Sequence, residues 1–147
     1  MPKGHSVERV AILGASPKPD RYSLKALELL REYGHCPLPI NPAYDDILGE
    51  KCYPKISTVP GPINTITIYL REALSTPLIG EIIVAKPRRL IMNPGAENPL
   101  LENKAKEYEE KYKRVLADYR NLEQRVQTER MQYIKTANRW LIEAMLE

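Results

Sequence analysis

The chain has 147 residues, of which 43% are hydrophobic and 28% charged, and its formal net charge is +3. This composition is typical of a globular protein, and the small positive charge, shared between both halves, argues against nucleic acid as a partner. No apolar run approaches the roughly 20 residues that cross a bilayer. The first ten residues lack the apolar core of a secretory signal. We therefore expect a cytoplasmic protein without a membrane partner.

Glycine and proline divide the chain into two parts. All 7 Gly and 13 Pro occur at or before Pro99, and residues 100–147 contain neither. Because these residues interrupt regular structure, the first part is predicted to alternate strands, turns and helices, and the second to form one uninterrupted helix. We predict two domains, residues 1–98 and 99–147.

The first part shows four strand patterns and two helix patterns. Apolar or β-branched runs predict strands at Val10–Leu13, Cys36–Ile40, Asn64–Tyr69 and Arg89–Met92. Apolar spacing predicts helices at Tyr22–Tyr33, with Gly34 as its stop, and at Ser75–Ala85. Pro37 and Pro39 cannot donate to a ladder, so the second strand should pair poorly along one side. The order of elements predicts an α/β fold, a parallel sheet of about four strands wrapped by helices.

Small, polar or proline residues follow each predicted strand, at Gly14-Ala15-Ser16, Asn41-Pro42, Tyr69-Leu70-Arg71 and Asn93-Pro94-Gly95. Ligands of parallel sheets bind beyond these strand ends. In the first turn, Gly14 and Ala15 would let a phosphate approach the backbone, and Ser16 can donate its hydroxyl. The following helix offers its amino-terminal amides, and Lys18 and Arg21 add positive charge. This turn indicates an anion site, although Gly14 alone is equally explained by a tight strand-to-helix turn.

Other chemistry-bearing residues form no recognisable site. The G-x-G-x-x-G pattern of dinucleotide sites is absent, and the second strand ends in Asn41-Pro42 rather than in an acidic residue. Cys36 and Cys52 have no C-x-x-C spacing, so we expect two unpaired thiols, a structural or redox pair being the alternative. No catalytic triad pattern and no metal-ligand spacing is present. We therefore predict a protein that is not an enzyme and holds no metal.

Three segments resemble the bacterial CoA-binding domain family, over about residues 8–100 and in the family's order: VAILGASPKPDRYSLKALELL, PINPAYDDILGEKCYPKIS and LIMNPGAENP. The resemblance implies a Rossmann-like fold that binds coenzyme A, as in the CoA-binding part of succinyl-CoA ligase. The residues that it implies for the CoA phosphates are Gly14, Ala15, Ser16, Lys18 and Arg21, with Tyr22 and Ser23 closing the turn. It places Asn41 and Pro42 beside the adenosine, and Asn93, Pro94 and Gly95 beside the pantetheine.

The sequence departs from this family after the fourth strand. Family members normally continue with another helix and a fifth strand that bears a Cys, whereas here the long helix follows. We therefore expect the sheet edge beside the fourth strand to be open.

The second part has the pattern of a coiled coil. A helix starting at Asn98-Pro99 would be about 70 Å long and would need an apolar seam to bury. Seven positions follow the spacing 3, 4, 3, 4, 3, 4: Tyr112, Val115, Tyr119, Leu122, Val126, Glu129 and Tyr133. The stripe then shifts to Ile134, Ala137, Leu141 and Met145, with Trp140 alongside. We predict a homodimer through the apolar members of this seam, the alternative being a helix that folds back on its own sheet.

The segment from Tyr112 onward resembles the dimerisation helix of GrpE, the nucleotide exchange factor of DnaK-type chaperones. The most specific part is the run A-D-Y-R-N-L at Ala117–Leu122. The resemblance implies a parallel helix pair and makes a DnaK-type chaperone a candidate partner. Two partial family signatures indicate a chimera, natural or engineered. The leading interpretation is a non-catalytic CoA or acyl-CoA binding module dimerised by its helix, and the alternative is a co-chaperone or scaffolding protein.

Overall fold

A computed structural model describes residues 6–145, except for the side chains of residues 138 and 140–144. The predicted seam residues Trp140 and Leu141 therefore lie outside the described side chains. The elements in chain order are β1 Arg9–Leu13, α1 Tyr22–Glu32, β2 Cys36–Ile40, β3 Asp46–Ile47, β4 Glu50–Lys51, β5 Thr65–Ile68, α2 Glu72–Ser75, α3 Ile79–Val84, β6 Arg89–Met92 and α4 Pro99–Met145. Short 3₁₀ turns lie at Ile56–Thr58 and Thr76–Leu78.

Four strands form one parallel sheet in the order β2-β1-β5-β6, followed by the long helix α4, so the predicted fold class is confirmed. The register pairs Leu13 with both Ile40 and Ile68, and Ile68 with Met92. All four strands therefore end at the same edge of the sheet. The turns after them are the four that the sequence singles out.

The two prolines of β2 sit where they break no ladder bond. Cys36 N–H donates to the Glu8 carbonyl at 2.9 Å, and β1 and β2 pair in parallel, so alternate nitrogens of β2 point towards β1. Pro37 and Pro39 occupy the other positions, whose nitrogens face outward. On that outer side the carbonyl of Pro39 accepts from Tyr53 N–H at 2.9 Å, within a single bridge. The expected poor pairing along one side is confirmed, and β2 is an edge strand.

The sheet has one fully covered face and one half-covered face. On the first, Ile66, Ile68 and their neighbours pack with Ile82 of α3 and with Leu101. On the second, α1 places Leu24 and Leu27 against Ile12 of β1. Beside α1, over β5 and β6, lies an open groove of about 680 Å³. β6 pairs only with β5 among the described strands, which agrees with the expected open edge.

The helix α1 ends as its sequence predicts. Gly34 has φ +80°, its N–H donates to the Arg31 carbonyl at 3.1 Å, and His35 N–H donates to the Leu30 carbonyl at 2.8 Å. This pair of bonds is the Schellman motif, which glycine favours because it adopts a left-handed conformation without strain.

The prediction of one helix over Ser75–Ala85 is wrong in its start and its continuity. Helical structure begins at Glu72 and passes through a 3₁₀ turn before α3. Pro77 has no N–H to bond the fourth preceding carbonyl. The hydroxyls of Ser75 and Thr76 both donate to the Glu72 carbonyl, at 3.3 and 2.8 Å, and so compete with the helical ladder.

The sequence interpretation also missed the hairpin β3–β4, because two-residue strands are too short to show a period. Its loop residues Leu48 and Gly49 have φ +52° and +82°, the pattern of a type I′ turn. Arg31 of α1 holds the hairpin, donating to the Leu48 carbonyl at 2.8 Å and pairing with Glu50 at 3.5 Å.

The helix α4 starts at the predicted Asn98-Pro99. The Oδ1 atom of Asn98 accepts from Leu101 N–H at 3.2 Å, as an N-cap does. Its amide donates to Ser75 Oγ at 2.8 Å and to Thr76 Oγ1 at 3.1 Å, and the residue is 1% exposed. The structure divides into two compact units after Ala105. The first turns of α4 thus belong to the unit that contains the sheet, because Leu101 is buried in its core.

Candidate functional site

The order of the strands creates a crevice between the ends of β1 and β5. The chain leaves β1 towards β2 on one side, and leaves β5 towards β6 on the other. The connections after β1 and β5 therefore diverge, and ligands of α/β sheets bind at this kind of switch point.

Gly14 opens the turn after β1 and is required there for two reasons. Its φ of +86° is a conformation that L side chains rarely adopt, and a Cβ atom would lie 2.8 Å from Leu70 Cδ2 and 3.3 Å from the Tyr69 carbonyl carbon. The N–H groups of Gly14 and Ala15 donate to the Ile40 carbonyl at 3.1 and 3.3 Å. These two amides tie the turn to β2, so any anion must use the amides that follow.

Those following amides are available. Among the described residues, the backbone N–H groups of Ser16, Tyr22 and Ser23 donate no hydrogen bond. The first turn of α1 contains no acidic residue, and its N-cap Arg21 makes no capping bond with its side chain. The first turn itself therefore places no carboxylate at the positive end of the helix, although Asp20 directly precedes the N-cap.

Two cations flank the same turn. Lys18 and Arg21 are both exposed, and neither makes an ion pair within the part of the chain that the structure describes. Ser16 Oγ accepts from Lys18 N–H at 3.3 Å, which curls the turn and leaves the hydroxyl hydrogen free to donate. Of the two residues expected to close the turn, Ser23 is buried and Tyr22 is exposed, with Lys25 Nζ 5.2 Å from its ring centre. This arrangement suits a phosphate group.

A cavity of about 460 Å³ lies beside the turn. Gly14, Asn41 and Pro42 line it, so the structure brings the predicted phosphate turn and the predicted adenosine residues together. The rest of its wall is mostly apolar, formed by Leu13, Ile40, Pro54, Ile56, Leu70, Leu74 and Leu78. Its volume is within the range of small-ligand sites.

Asn41 fastens the turns that follow β1 and β2 to each other. Its Nδ2 donates to the Ala15 carbonyl at 2.8 Å, and its Oδ1 accepts from Ala43 N–H at 2.9 Å. The Cys52 thiol donates to the Asn41 carbonyl at 3.4 Å. Burial raises the pKa of Cys52, and the charges of Asp45 and Asp46 raise it further. The thiol therefore stays protonated at neutral pH, and both cysteines are unpaired, as expected.

The residues expected at the pantetheine do not share this cavity. Asn93 lines the 680 Å³ groove instead, and its amide donates to Thr67 Oγ1 at 2.7 Å and to the Ile68 carbonyl at 2.9 Å. Pro94 and Gly95 form the exposed turn that follows, where Gly95 N–H donates to Glu97 Oε2 at 2.9 Å. They lie at the predicted edge of the sheet, in neither cavity.

Two charged residues of the cavity, Lys55 and Glu81, were missed from the sequence. Lys55 reaches it because Tyr53 bridges to Ile40 and carries the following residues to the end of β2. Glu81 reaches it from α3. Neither residue belongs to a recognisable motif. Only the packing of α3 on the sheet would have indicated that Glu81 lines the cavity.

Comparison with known proteins agrees with this geometry. The family described as "CoA binding domain" matches residues 8–118. The Bacillus subtilis protein YneT, an uncharacterized protein, is 31% identical over 65 residues, which cover 44% of this chain and 48% of YneT. An ADP-forming acetate–CoA ligase of Methanocaldococcus jannaschii is 30% identical over 107 residues, or 70% of this chain and 15% of the ligase. The chain thus spans about half the length of the first relative and a small part of the second.

A solved structure is also similar. A hypothetical protein from Pyrococcus horikoshii OT3 superposes with a TM-score of 0.66 and 28% identity, over 69% of this chain and 72% of that one. The fold and the switch-point crevice are those of a Rossmann-like domain. The chain belongs to the CoA-binding domain family, and the match continues past the start of α4, as far as Asp118.

Among the side chains that the structure describes, no group of three or more His, Cys, Asp or Glu could hold a metal ion. None of the described helical residues forms a helix long and apolar enough to cross a bilayer.

Proposed function

We propose that this chain binds CoA or an acyl-CoA without catalysing a reaction on it. The pyrophosphate would lie on the turn from Gly14 to Ser23, and the adenosine in the cavity beside Asn41 and Pro42. The observation that carries the proposal is the combination of family membership with free amides and two unpaired cations at this turn.

The non-catalytic part of the proposal rests on the residues that line the cavity. The described residues of the cavity supply one lysine, one glutamate and one asparagine, and the side-chain amide of that asparagine is already hydrogen bonded at both ends. We further propose a cytoplasmic location, where the two free thiols would stay reduced.

The test is calorimetric titration of the whole chain with CoA, with NAD and ATP as comparison ligands. CoA should bind and raise the melting temperature, and above its Kd the stabilisation should grow with the logarithm of the CoA concentration. Arg21→Ala should weaken CoA binding by about tenfold, because a charge-assisted hydrogen bond to phosphate is lost. Arg88→Ala is the matched control, since it removes the same charge just before β6, at the opposite edge of the sheet. Absence of CoA binding, or equal effects of the two variants, would contradict the proposal.

We also propose that the chain forms a homodimer through α4. The seam residues Tyr112, Val115, Tyr119, Leu122, Val126 and Tyr133 are between 53% and 76% exposed in the single chain. A helix of this length with an exposed apolar stripe is stabilised by burying that stripe against a partner. Light scattering should therefore give twice the mass of one chain.

A second candidate function is that of a co-chaperone. The exposed seam lies on the segment that carries the run A-D-Y-R-N-L, and this favours a helix that acts by binding a protein partner. This second proposal includes a GrpE-like origin of the helix, which would make the chain a chimera. Accelerated release of labelled ADP from a DnaK-type chaperone would support it. Unchanged release in the presence of a dimeric chain would exclude it.

A further inference from the structure

The two edges of the sheet differ in how the chain protects them. On the β2 edge, Pro37 and Pro39 occupy the outward-facing positions, which therefore offer no N–H group, and Tyr53 bonds the outward carbonyl of Pro39. On the β6 edge, no further strand pairs among the described residues. Because a free edge is a template for another strand, proteins usually block it with proline, charge or a bulge. Of the two edges, β6 is thus the one that can accept a partner.

The register of β6 defines the backbone groups that this edge offers. Arg89 N–H donates to the Asn64 carbonyl at 3.2 Å, and β5 and β6 pair in parallel, so alternate residues of β6 direct their N–H and carbonyl groups towards β5. Leu90 and Met92 are the other residues of the strand. Their N–H and carbonyl groups point away from the sheet and make no hydrogen bond among the described residues.

The side chains along this edge are apolar on both faces of the sheet. Leu90 and Met92 pack, partly buried, against the core of the covered face. Ile91 lines the open groove on the other face and is 41% exposed, and Leu29 and Tyr33 of α1 also line that groove. These three strand positions carry no charge and no proline, so nothing at the centre of β6 opposes the approach of a second strand.

The charges at the two ends of β6 favour a second copy of the chain in antiparallel orientation. Lys86 and Arg88 precede the strand, and Glu97 follows it. All three are exposed, and none makes an ion pair within the described part of the chain. When two identical strands pair antiparallel, the basic start of one lies beside the acidic end of the other, whereas parallel pairing would bring like charges together.

We propose that the β6 edge pairs antiparallel with the β6 edge of a second copy, joining the two sheets into one continuous sheet. Such a pair has a two-fold axis, because each chain contributes the same surface. With Ile91 on this axis, Leu90 of each chain faces Met92 of its partner, and each such pair exchanges both backbone hydrogen bonds. Ile91 then lies directly opposite its own copy, in the position where side chains of antiparallel strands come closest.

Strands this short do not hold two chains together alone, so the pairing also uses the proposed dimer through α4. A helix of 47 residues is about 70 Å long. Only parallel helices therefore bring both sheets to the same end of the pair, where tethering raises the effective concentration of one edge for the other. This inference goes beyond the proposed function and does not depend on CoA binding.

The test exchanges charge at residue 91 of the whole chain. Ile91→Lys and Ile91→Glu each place like charges opposite one another in a homodimer, whereas the mixed dimer pairs Lys with Glu. One variant is labelled with a heavy nitrogen isotope, the two are mixed in equal amounts, and native mass spectrometry counts the dimers after subunit exchange. We expect the mixed share to rise from about one half, the random value, to about three quarters, as a tenfold coupling produces.

Leu48→Lys and Leu48→Glu are the matched control. Leu48 is 45% exposed, similar to Ile91, and lies in the loop of the hairpin beside β2, at the opposite edge of the sheet. The mixture of these two variants should give the random share of mixed dimers. Circular dichroism should show the wild-type helix content in every variant, because each substitution is at a partly exposed position.

Several outcomes would overturn the pairing. A random share for the residue 91 variants would do so and would leave the edge to a strand of another protein. An equal excess for the residue 48 variants would show that the preference does not arise at β6. A wild-type chain with the mass of a monomer would defeat the proposed seam of α4 together with this inference, whereas a dimer that keeps the random share defeats this inference alone.

Discussion

Gly14 and Leu70 lie so close together that residue 14 has no room for a side chain at the end of β1. A Cβ atom at Gly14 would lie 2.8 Å from Leu70 Cδ2 and 2.9 Å from its Cγ. The two residues are 56 positions apart in sequence. The turn proposed to receive the phosphate and the wall of the cavity proposed for the adenosine are therefore one packed unit.

Gly14→Ala should lower the free energy of unfolding by about 2–4 kcal/mol, because a positive-φ strain is added to overpacking against Leu70. Gly34→Ala is the matched control: its φ is +80°, but nothing lies within 4 Å of its Cβ position, so only the strain of about 1–2 kcal/mol remains. Urea unfolding measures the free energy of unfolding of both variants. Adding Leu70→Ala should recover part of the loss at Gly14 and none at Gly34. Equal losses at the two glycines would show that the contact with Leu70 is unimportant.

Asn98→Ala should destabilise the first unit by about 2–4 kcal/mol, because the N-cap of α4 is lost and the buried Ser75 hydroxyl loses its donor. Asn98→Asp keeps an oxygen for Leu101 N–H but loses the amide donor, so it separates the two contributions. Exposed Asn103→Ala, in the next turn, should change little. Urea unfolding followed by circular dichroism provides the values. A loss in Asn98→Ala no larger than in Asn103→Ala would contradict this role.

Leu122→Asp should convert the proposed dimer into monomers, because a charge cannot be buried in the seam without a partner. Asn121→Asp adds the same charge at the adjacent position, off the seam, and should leave the mass unchanged. Light scattering gives the mass, and circular dichroism should show reduced helicity in the monomer. An unchanged mass for Leu122→Asp would remove the seam as the interface.

Glu8 should make stability depend on pH in the acid range. Burial raises the pKa of Glu8, but hydrogen bonds from Thr65 and Arg89, the charge of Arg89 and that of His35 together hold this pKa below its ordinary value. The resulting stabilisation is present above the unfolded-state pKa of roughly 4.3 and is lost as the pH falls through the folded-state pKa.

Glu8→Gln should therefore be less stable than wild type at pH 7 and approach it near pH 3. The difference should be modest, since the pair is partly exposed and screened by solvent. Arg89→Gln should remove most of the same pH-dependent contribution to the free energy of unfolding. Denaturant unfolding between pH 3 and 7 measures all three chains, and parallel curves for wild type and Glu8→Gln would refute the linkage.

Local signals predicted much of this fold. Hydrophobic runs located β2 and β6 at their observed bounds and β1 and β5 to within one residue, because a strand buried in a parallel sheet reads as apolar in sequence. Gly34 and Asn98 marked helix ends because capping is chemistry between near neighbours. The hairpin β3–β4 and the break at Pro77 escaped detection, the first because its strands have two residues and the second because hydroxyls compete with the ladder.

The sequence by itself determined the four strands of the sheet, the helices α1 and α4, the parallel arrangement and the edge where the turns after the strands meet, since these depend on periodicity and on the conformational preferences of glycine and proline. Only the tertiary structure decided which of those turns share a cavity. It joined Gly14 to Asn41 and Leu70, placed Asn93 in the groove beside α1, and brought Glu81 from α3 into the wall. These are contacts between residues far apart in the chain, set by how helices pack on the two faces of the sheet, and no local pattern records them.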